Sequence, residues 1–238
     1  MPAPKAADAA SGVTVVIPAL NEQARVAETV VAAQGIPVVR AVVVTDDGST
    51  DATSDVARAA GAHVVRHERR RGKAAAMMTG AAAAASLGFG GTPLLFLDAD
   101  LAESAAAAAP LAEPVLRGTA DMTIAVLPPA TGAGGHGFVM RLATAGIEQA
   151  TGWQPTAPLS GQRCITRPLF DAVQPLARGF GVETALTIDA MRNGARVVEI
   201  AVPLGHRVTG RSVRDQLHRA RQYRDVRRAL AERGITSR

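Results

Sequence analysis

The chain has 238 residues, of which 47% are hydrophobic, 20% charged and only 3% aromatic, and its formal net charge is +5. This length and composition suit one globular domain, and the shortage of aromatic rings argues against a base-stacking platform for nucleic acid. The single cysteine, Cys164, excludes an internal disulfide and a cysteine-based zinc site.

The N-terminal segment, residues 1–11, is rich in Ala and Pro and lacks the basic-then-apolar pattern of a signal peptide. We therefore expect a short disordered tail. No apolar run of the sequence approaches the ~20 residues needed to span a bilayer, so the cytoplasm is the expected location.

Four apolar or β-branched runs alternate with helical patterns in the first half of the chain. The runs that predict strands are VTVVIP, VVRAVVVT, AHVVRH and PLLFLDAD. The segments between them have helical spacing, and the connections are short. This alternation predicts an α/β fold, a mostly parallel sheet flanked by layers of helices in a single domain.

The pattern is less regular beyond Glu103. Pro110 and Pro114 interrupt a helical stretch, and two further strands are predicted at DMTIAVL and RVVEIAV. The loop PPATGAGGHG mimics a GxGxxG motif. It lacks the strand immediately before it and the acidic residue after it that a dinucleotide fingerprint requires, so we exclude that function.

The C-terminal segment, residues 211–238, combines many arginines with apolar residues at helical spacing. Its apolar positions are Val213, Leu217, Ala220, Tyr223, Val226 and Leu230. This predicts a basic amphipathic helix. Its outer face is expected to be solvated charge, a contact for an anionic membrane surface or a contact for a phosphorylated acceptor, with nucleic acid the least favoured partner.

Charged residues follow the first four predicted strands, where ligands bind in open α/β sheets. The residues expected to face this crevice are Asn21, Glu22, Asp46, Asp47, Arg71, Lys73, Asp98 and Asp100. An alternative for the LDAD stretch alone is a helix that opens with acidic residues, which its dipole favours. Cations opposite paired carboxylates instead suit a phosphate ligand with Mg²⁺ or Mn²⁺.

Four motifs in order, VVIPALNE, DDGSTD, RGKAAA and LDAD, resemble the nucleotide-binding half of the family 2 glycosyltransferases. The resemblance implies a GT-A (Rossmann-like) domain over residues 12–210, with a nucleotide-binding half, 12–101, and an acceptor half, 102–210. In the second half, PLSGQRCITRPLF and the segment from GFGVET to VTGR are similar to a subgroup that includes glucosyl-3-phosphoglycerate synthases. They are also similar to polyprenyl-phosphate sugar synthases such as dolichyl-phosphate mannose synthase.

Carried over by motif, the resemblance implies the residues of the site. The nucleotide-diphosphate would contact Pro18, Ala19, Leu20, Glu22, Asp47, Lys73, Asp98 and Ala99. The metal ligands would be Asp98, Asp100 and His206. The sugar and acceptor would contact Ser160, Gly161, Gln162, Arg163, Glu183, Arg207 and Arg211. Lys73, Asp100 and Glu183 are expected to act in catalysis. At one position the chain departs from the phosphoglycerate subgroup, which carries an acidic residue near Gln162.

The expected function is a metal-dependent transfer of a hexose from UDP-glucose or GDP-mannose to a small or lipid-linked phosphorylated acceptor. A homodimer and an anionic membrane surface are candidate partners. Two alternatives stay open: a sugar-phosphate nucleotidyltransferase and a catalytically inactive adaptor that binds nucleotide or a membrane surface. The first predicts a Gly-rich basic loop after the first strand, which IPALNEQARV is not, and the second leaves Lys73 and the paired carboxylates unexplained.

Overall fold

The computed structural model describes residues 12–128, 137–205 and 213–236, and only the backbone for 213–219. The predicted tail at residues 1–11 and most of the Gly-rich loop, residues 129–136, lie outside the described residues. One sheet contains strands from both predicted halves, 12–101 and 102–210. The functional division into a nucleotide-binding half, an acceptor half and a C-terminal helix stays a prediction.

The described chain alternates strands and helices as the sequence predicts. The strands are β1 (Val13–Ala19), β2 (Val39–Asp46), β3 (His63–Arg66), β4 (Leu94–Phe96), β5 (Met122–Val126), β6 (Arg163–Ile165) and β7 (Val197–Ala201). The α-helices are α1 (Val26–Gln34), α2 (Thr53–Ala59), α3 (Lys73–Ala84), α4 (Ala109–Leu116), α5 (Gly137–Thr151), α6 (Arg167–Ala172), α7 (Val182–Arg192) and α8 (Val213–Ala231). Shorter helical segments are Ala85–Phe89 after α3, Ala102–Ala108 before α4 and Gly179–Gly181 before α7.

The seven strands within the described ranges form one sheet in the order β3-β2-β1-β4-β6-β5-β7. Neighbours pair in parallel except around β6, which is antiparallel to both β4 and β5. The predicted mostly parallel sheet is therefore confirmed. The sequence did not predict β6, because three residues are too few to show a strand period.

Helices cover both faces of the sheet, so residues of either orientation are buried in the central strands, whereas the edge strands β3 and β7 are partly exposed. In β1, Val13, Val15 and Ile17 pack in the cluster that contains α1, and Val16 packs on the opposite face with Met77 of α3. Burial on both faces explains why this strand reads as a continuous apolar run rather than an alternating one.

The prolines after β4 act differently from the prediction. Pro110 lies in the first turn of α4, where proline is tolerated, and Pro114 lies inside the helix rather than ending it. The helix has only 8 residues, so Pro114 removes one amide donor from a short ladder.

The second half of the C-terminal helix α8 packs against α5 and α7. Val226 and Leu230 are buried with Ile147 of α5, while Tyr223 is 40% exposed and Ala220 is also exposed. The apolar face is thus shorter than predicted where side chains are described, and Arg221, Arg224, Arg227 and Arg228 face solvent. Among the helices in the described ranges, none combines the length and hydropathy of a membrane span.

Candidate functional site

The turns that follow β1 and β2 are tied together at the carboxyl edge of the sheet. Asn21 adopts a positive φ of 56°, which Asn tolerates, and its Oδ1 accepts the Thr50 amide at 2.8 Å. Ser49 Oγ accepts the Asn21 amide at 2.9 Å, and Thr53 Oγ1 accepts the Glu22 amide at 2.9 Å. The predicted nucleotide contacts at the end of β1, residues 18–20 and Glu22, therefore lie beside the DDGSTD turn.

Asp46 is the fully buried carboxylate at the end of β2. Its Oδ1 accepts the Ser49 amide at 2.7 Å, its Oδ2 accepts the Ser54 hydroxyl, and Arg66 lies 3.9 Å away. Burial alone would raise the pKa of Asp46, but these hydrogen bonds and the Arg66 charge hold the pKa below its usual value. Asp46 thus fixes the turn as an ionised carboxylate.

Asp47 anchors the basic loop that leads into α3. Its two oxygens accept the amides of Arg71 at 2.8 Å and Gly72 at 2.7 Å, and Nδ1 of the buried His67 lies 2.7 Å from Oδ1. The opposite nitrogen of His67 lies 2.9 Å from Thr79 Oγ1 on α3. The predicted contact of Asp47 with a base or ribose stays a prediction, and the observed contacts are those of a loop anchor.

The backbone of this loop lies directly on the DDGSTD turn. A Cβ at Gly48, whose φ is +82°, would lie 2.9 Å from the Arg69 carbonyl carbon and the Arg70 nitrogen. Both the conformation and the close approach require glycine there. The side chains of Arg69, Arg70 and Arg71 are left exposed.

Lys73, the first residue of α3, joins two predicted site carboxylates. Its Nζ lies 2.8 Å from Asp98 Oδ1 after β4 and 3.0 Å from Glu183 Oε1 in the first turn of α7. Burial would lower the pKa of Lys73, but the charges of Asp98 and Glu183 outweigh burial and raise the pKa above its usual value. The lysine is therefore a permanent cation between two carboxylates.

The loop before β6 closes this cluster. Gln162 Nε2 donates to Asp98 Oδ2 at 2.6 Å, and Ser160 Oγ lies 3.3 Å from Gln162 Oε1. A Cβ at Gly161 would lie 2.5 Å from Lys73 Nζ and 3.1 Å from each Asp98 carboxylate oxygen. The structure thus brings Gly161 and Gln162, from the motif PLSGQRCITRPLF, against Lys73 of RGKAAA and Asp98 of LDAD.

The turn that carries Asp98, Ala99 and Asp100 is braced by Thr29 of α1, which the sequence did not predict. Thr29 Oγ1 donates to the Ala99 carbonyl at 2.9 Å and accepts the Ala102 amide at 2.8 Å. The Asp100 carbonyl accepts Arg25 NH1 at 3.2 Å. The only sequence signal was a hydroxyl at a buried position of α1 among valines and alanines.

Arg163 lies behind the loop rather than at its surface. The side chain is among the largest that are fully buried, and it donates to the Ser160 carbonyl at 2.8 Å, the Thr187 hydroxyl at 2.8 Å and the Pro158 carbonyl at 3.4 Å. Burial lowers the pKa of Arg163 to about 10, against the opposing charges of Glu183 and Glu199. The guanidinium therefore keeps its charge at neutral pH. Its observed hydrogen bonds are to protein groups, and the predicted contact with sugar or acceptor stays a prediction.

Three predicted residues, His206, Arg207 and Arg211, lie outside the described residues and stay predictions. Within the ranges that the structure describes, no group of three or more His, Cys, Asp or Glu residues is arranged to hold a metal. The described part of the predicted set is Asp98 and Asp100. Their carboxylate oxygens have the hard-donor chemistry that Mg²⁺ and Mn²⁺ prefer, so these two residues fit such an ion.

Solved structures of glucosyl-3-phosphoglycerate synthase from Mycobacterium tuberculosis are similar to this fold. The complex with Mn²⁺, uridine diphosphate and phosphoglyceric acid matches with a TM-score of 0.75 and 28% identity, over 95% of this chain and 80% of that chain. A complex with Mn²⁺, uridine-diphosphate-glucose and phosphoglyceric acid gives 0.73 and 27%, over 95% and 81%. A complex with Mg²⁺ and uridine diphosphate gives 0.72 and 27%, over 95% and 81%. The predicted GT-A architecture is confirmed.

Curated relatives agree with this similarity. Glucosyl-3-phosphoglycerate synthases of Mycobacterium tuberculosis and Mycobacterium bovis are 31% identical over 211 residues, which covers 78% of this chain. The chain spans 62% of the length of these relatives. The sequence profile of Glycosyl transferase family 2 matches residues 14–176, more than half of the chain. With these motifs at the carboxyl edge of the sheet, the chain belongs to glycosyl transferase family 2.

Proposed function

We propose that this protein is a divalent-metal-dependent glycosyltransferase that moves glucose from UDP-glucose to a small phosphorylated acceptor. The observation that carries the proposal is the cluster of Lys73, Asp98 and Glu183, with Lys73 Nζ within 3.0 Å of both carboxylates. The cluster lies at the carboxyl edge of the sheet, where ligands of open α/β folds bind.

The choice of UDP-glucose over GDP-mannose is supported by the similar solved structures. The Mycobacterium tuberculosis synthase was solved with uridine diphosphate and with uridine-diphosphate-glucose. At the end of β1, we propose that Pro18, Ala19, Leu20 and Glu22 contact the base and ribose. Asp47 would act indirectly: its oxygens accept the Arg71 and Gly72 amides and so would fix the loop that positions Lys73.

Asp98 and Asp100 would hold Mg²⁺ or Mn²⁺, with Ala99 beside the diphosphate and His206 as a further ligand. The bound ion would supply positive charge to the diphosphate as the bond to the sugar breaks. Lys73 would add a second positive charge to the same leaving group from the start of α3. Gln162 would keep Asp98 in one orientation through its 2.6 Å hydrogen bond.

Glu183 would lie on the sugar and acceptor side of the cluster. For a hydroxyl acceptor, its carboxylate is the candidate general base, because the acceptor proton has to leave as the new bond forms. A phosphate oxygen as the attacking group would need no base, since it is already ionised at neutral pH. Ser160 and Gly161 would line the same side, and Arg207 with Arg211 would supply cations for an acceptor phosphate.

A phosphoglycerate-like acceptor is supported by the synthase solved with phosphoglyceric acid. A polyprenyl phosphate is the second acceptor class that the sequence predicts, and it shares the phosphate that these cations would bind. The two classes are separated by measuring UDP release with 3-phosphoglycerate and with a short polyprenyl phosphate in detergent.

The proposal is tested first by thermal melting with UDP-glucose and GDP-mannose, each with Mn²⁺, Mg²⁺ or EDTA. A ligand at ~100 times its Kd stabilises by roughly 2.7 kcal/mol, a shift of about 5–10 °C for a domain of this size. We expect a metal-dependent shift with UDP-glucose that is absent in Asp100→Ala. A well-folded sample that responds to neither nucleotide sugar would overturn the proposal in favour of an adaptor.

The exposed arginines of α8 support a second proposal, contact with an anionic membrane surface. Replacing Arg221, Arg224 and Arg227 with glutamine should reduce sedimentation with phosphatidylserine-containing vesicles and leave melting unchanged. Equal sedimentation of both proteins would assign the helix to solvated charge. The predicted homodimer is checked in the same samples by analytical ultracentrifugation.

A further inference from the structure

Residues 156–162 form a loop between α5 and β6, the site loop. It places Gly161 and Gln162 against the Lys73–Asp98 pair. Pro158 lies within it and lacks an amide donor. The loop backbone makes one internal bond, from the Ser160 amide to the Ala157 carbonyl at 3.1 Å. The Gln162 carbonyl accepts the Ala125 amide of β5 at 3.0 Å, which ties the last residue of the loop to the sheet. The position of the earlier residues depends on contacts made by side chains from outside the loop.

The beginning of the site loop is held by Glu199 of the edge strand β7. One carboxylate oxygen accepts the Thr156 amide at 3.0 Å and the Thr156 hydroxyl, and the other accepts the Ala157 amide at 2.6 Å. Hydrogen bonds to an ionised carboxylate are about twice as strong as those between neutral groups. Glu199 thus fixes two consecutive backbone amides.

The end of the site loop is held by the buried guanidinium of Arg163. It donates to the carbonyls of Ser160 and Pro158, and a third donation reaches Thr187 Oγ1 on α7. Thr187 Oγ1 in turn donates to the Glu183 carbonyl at 3.0 Å. Arg163 therefore couples the site loop to the first turn of the helix that carries Glu183.

We propose that Arg163 and Glu199 are positioning residues that together fix the site loop, so that Gln162 holds Asp98 and Gly161 leaves room for Lys73. This inference rests on the proposed function only in taking the reaction at this cluster to be sugar transfer. The two side chains hold opposite ends of the loop and carry opposite charges. The bonds of both side chains are to protein groups, although the sequence predicted a sugar or acceptor contact for Arg163.

The test compares Glu199→Gln and Arg163→Lys with the wild type in two measurements. In Glu199→Gln one carboxylate oxygen becomes an NH2 group, so either the Thr156 or the Ala157 amide loses its acceptor. Amide hydrogen exchange at that residue should become at least about tenfold faster. The kcat should fall by about tenfold or more while the Kd for UDP with Mn²⁺ changes less than about twofold, because misplacement of a reacting group costs rate rather than nucleotide binding. Arg163→Lys should act in the same direction, since lysine cannot reach all three oxygens.

Asp121→Asn is the matched control. Asp121 directly precedes β5 and accepts the amide of Arg196, which directly precedes β7, at 2.8 Å and its guanidinium at 3.0 Å. This variant should speed exchange at Arg196 and leave kcat within about twofold of the wild type.

Three results would overturn the inference: unchanged kcat in Glu199→Gln, a loss of UDP binding in proportion to kcat, or unchanged exchange at Thr156 and Ala157. Failure of the proposed function looks different, because the wild type itself would then show no transfer. In that case the exchange rates of the Thr156 and Ala157 amides in the two variants still decide whether Glu199 and Arg163 fix the loop.

Discussion

Lys73 and Asp98 form an ion pair, with 2.8 Å between Nζ and Oδ1, although the two residues are predicted to hold different parts of the ligand. Asp98 is the proposed metal ligand and Lys73 the proposed partner of the diphosphate. In the structure Lys73 supplies the positive charge next to Asp98 and Glu183 that a divalent ion would otherwise supply. With the proposed ion on Asp98, Lys73 and the ion would compete for the same carboxylate.

Replacing Lys73 with methionine should separate the two roles. Without the ammonium, Asp98 and Glu183 lose their neutralising charge, so Mn²⁺ alone should bind several-fold more tightly than to the wild type. UDP in the presence of Mn²⁺ should bind more weakly, because the diphosphate loses a cation. Titration of free Mn²⁺ by electron paramagnetic resonance, with and without UDP, measures both effects.

The control for that experiment is Arg117→Met, which removes one positive charge from an exposed ion pair with Glu113. It should leave both affinities unchanged, since an exposed pair is screened by solvent. Equal or weaker Mn²⁺ binding in Lys73→Met would show that the lysine does not compete with the ion.

Gly161→Ala tests the close approach of the site loop. The added Cβ would lie 2.5 Å from Lys73 Nζ, the flexible end of a long side chain, so the lysine should move and the fold should persist. We expect a melting temperature within about 3 °C of the wild type, a loss of less than about 1 kcal/mol, and UDP binding at least about tenfold weaker. Gly91→Ala is the matched control, because its Cβ would meet no atom within 4 Å. Wild-type UDP affinity in Gly161→Ala would contradict the assigned geometry.

Gln162→Glu places a buried carboxylate against Asp98 where an amide now donates at 2.6 Å. The like charges should lower stability at pH 8 by about 1–3 kcal/mol, and Mn²⁺ should restore part of it, because the ion neutralises the added charge. Gln162→Met removes the hydrogen bond without adding charge and serves as the control. Melting curves with Mn²⁺ and with EDTA should show a larger metal shift in Gln162→Glu than in Gln162→Met, and equal shifts would refute this explanation.

The sequence predicted the parts of the fold and site that depend on long apolar runs and on residues next to strand ends. The first four strands are confirmed: β1, β4 and most of β2 are buried apolar runs, whereas the edge strand β3 is only partly buried. Parallel strands bring Lys73 and Asp98 to one edge whatever their separation in sequence. Strand β6 was missed because three residues carry no period. Its antiparallel pairing is nevertheless what brings the site loop, with Gln162, to Asp98.

The residues that position the site were harder to predict than the charged residues within it. Thr29, His67 and Glu199 look in sequence like an ordinary helix threonine, a member of a basic run and a strand glutamate. Their roles arise from bonds to loops that are distant in the chain, such as Thr29 to Ala99 and Glu199 to Ala157. No local pattern encodes those distances, and only the assembled sheet shows them.

Asp46 predicts how stability depends on pH. Hydrogen bonds from Ser49 and Ser54, helped by Arg66, hold the folded-state pKa of Asp46 below its unfolded value despite burial. A carboxyl group with a lowered pKa stabilises the fold above its unfolded pKa, and this contribution is lost as the pH falls through the folded pKa. Asp46→Asn keeps hydrogen-bonding groups but loses the charge, so we expect it to cost about 1–2 kcal/mol at pH 7 and progressively less as the pH falls below 4. Urea denaturation of both proteins from pH 7 to pH 3 measures this difference. Asp55→Asn, at an exposed carboxylate paired with Arg58, should show little effect at any pH. A cost for Asp46→Asn that is the same at pH 3 and pH 7 would mean that the turn depends on the shape of the Asp46 side chain and not on its charge.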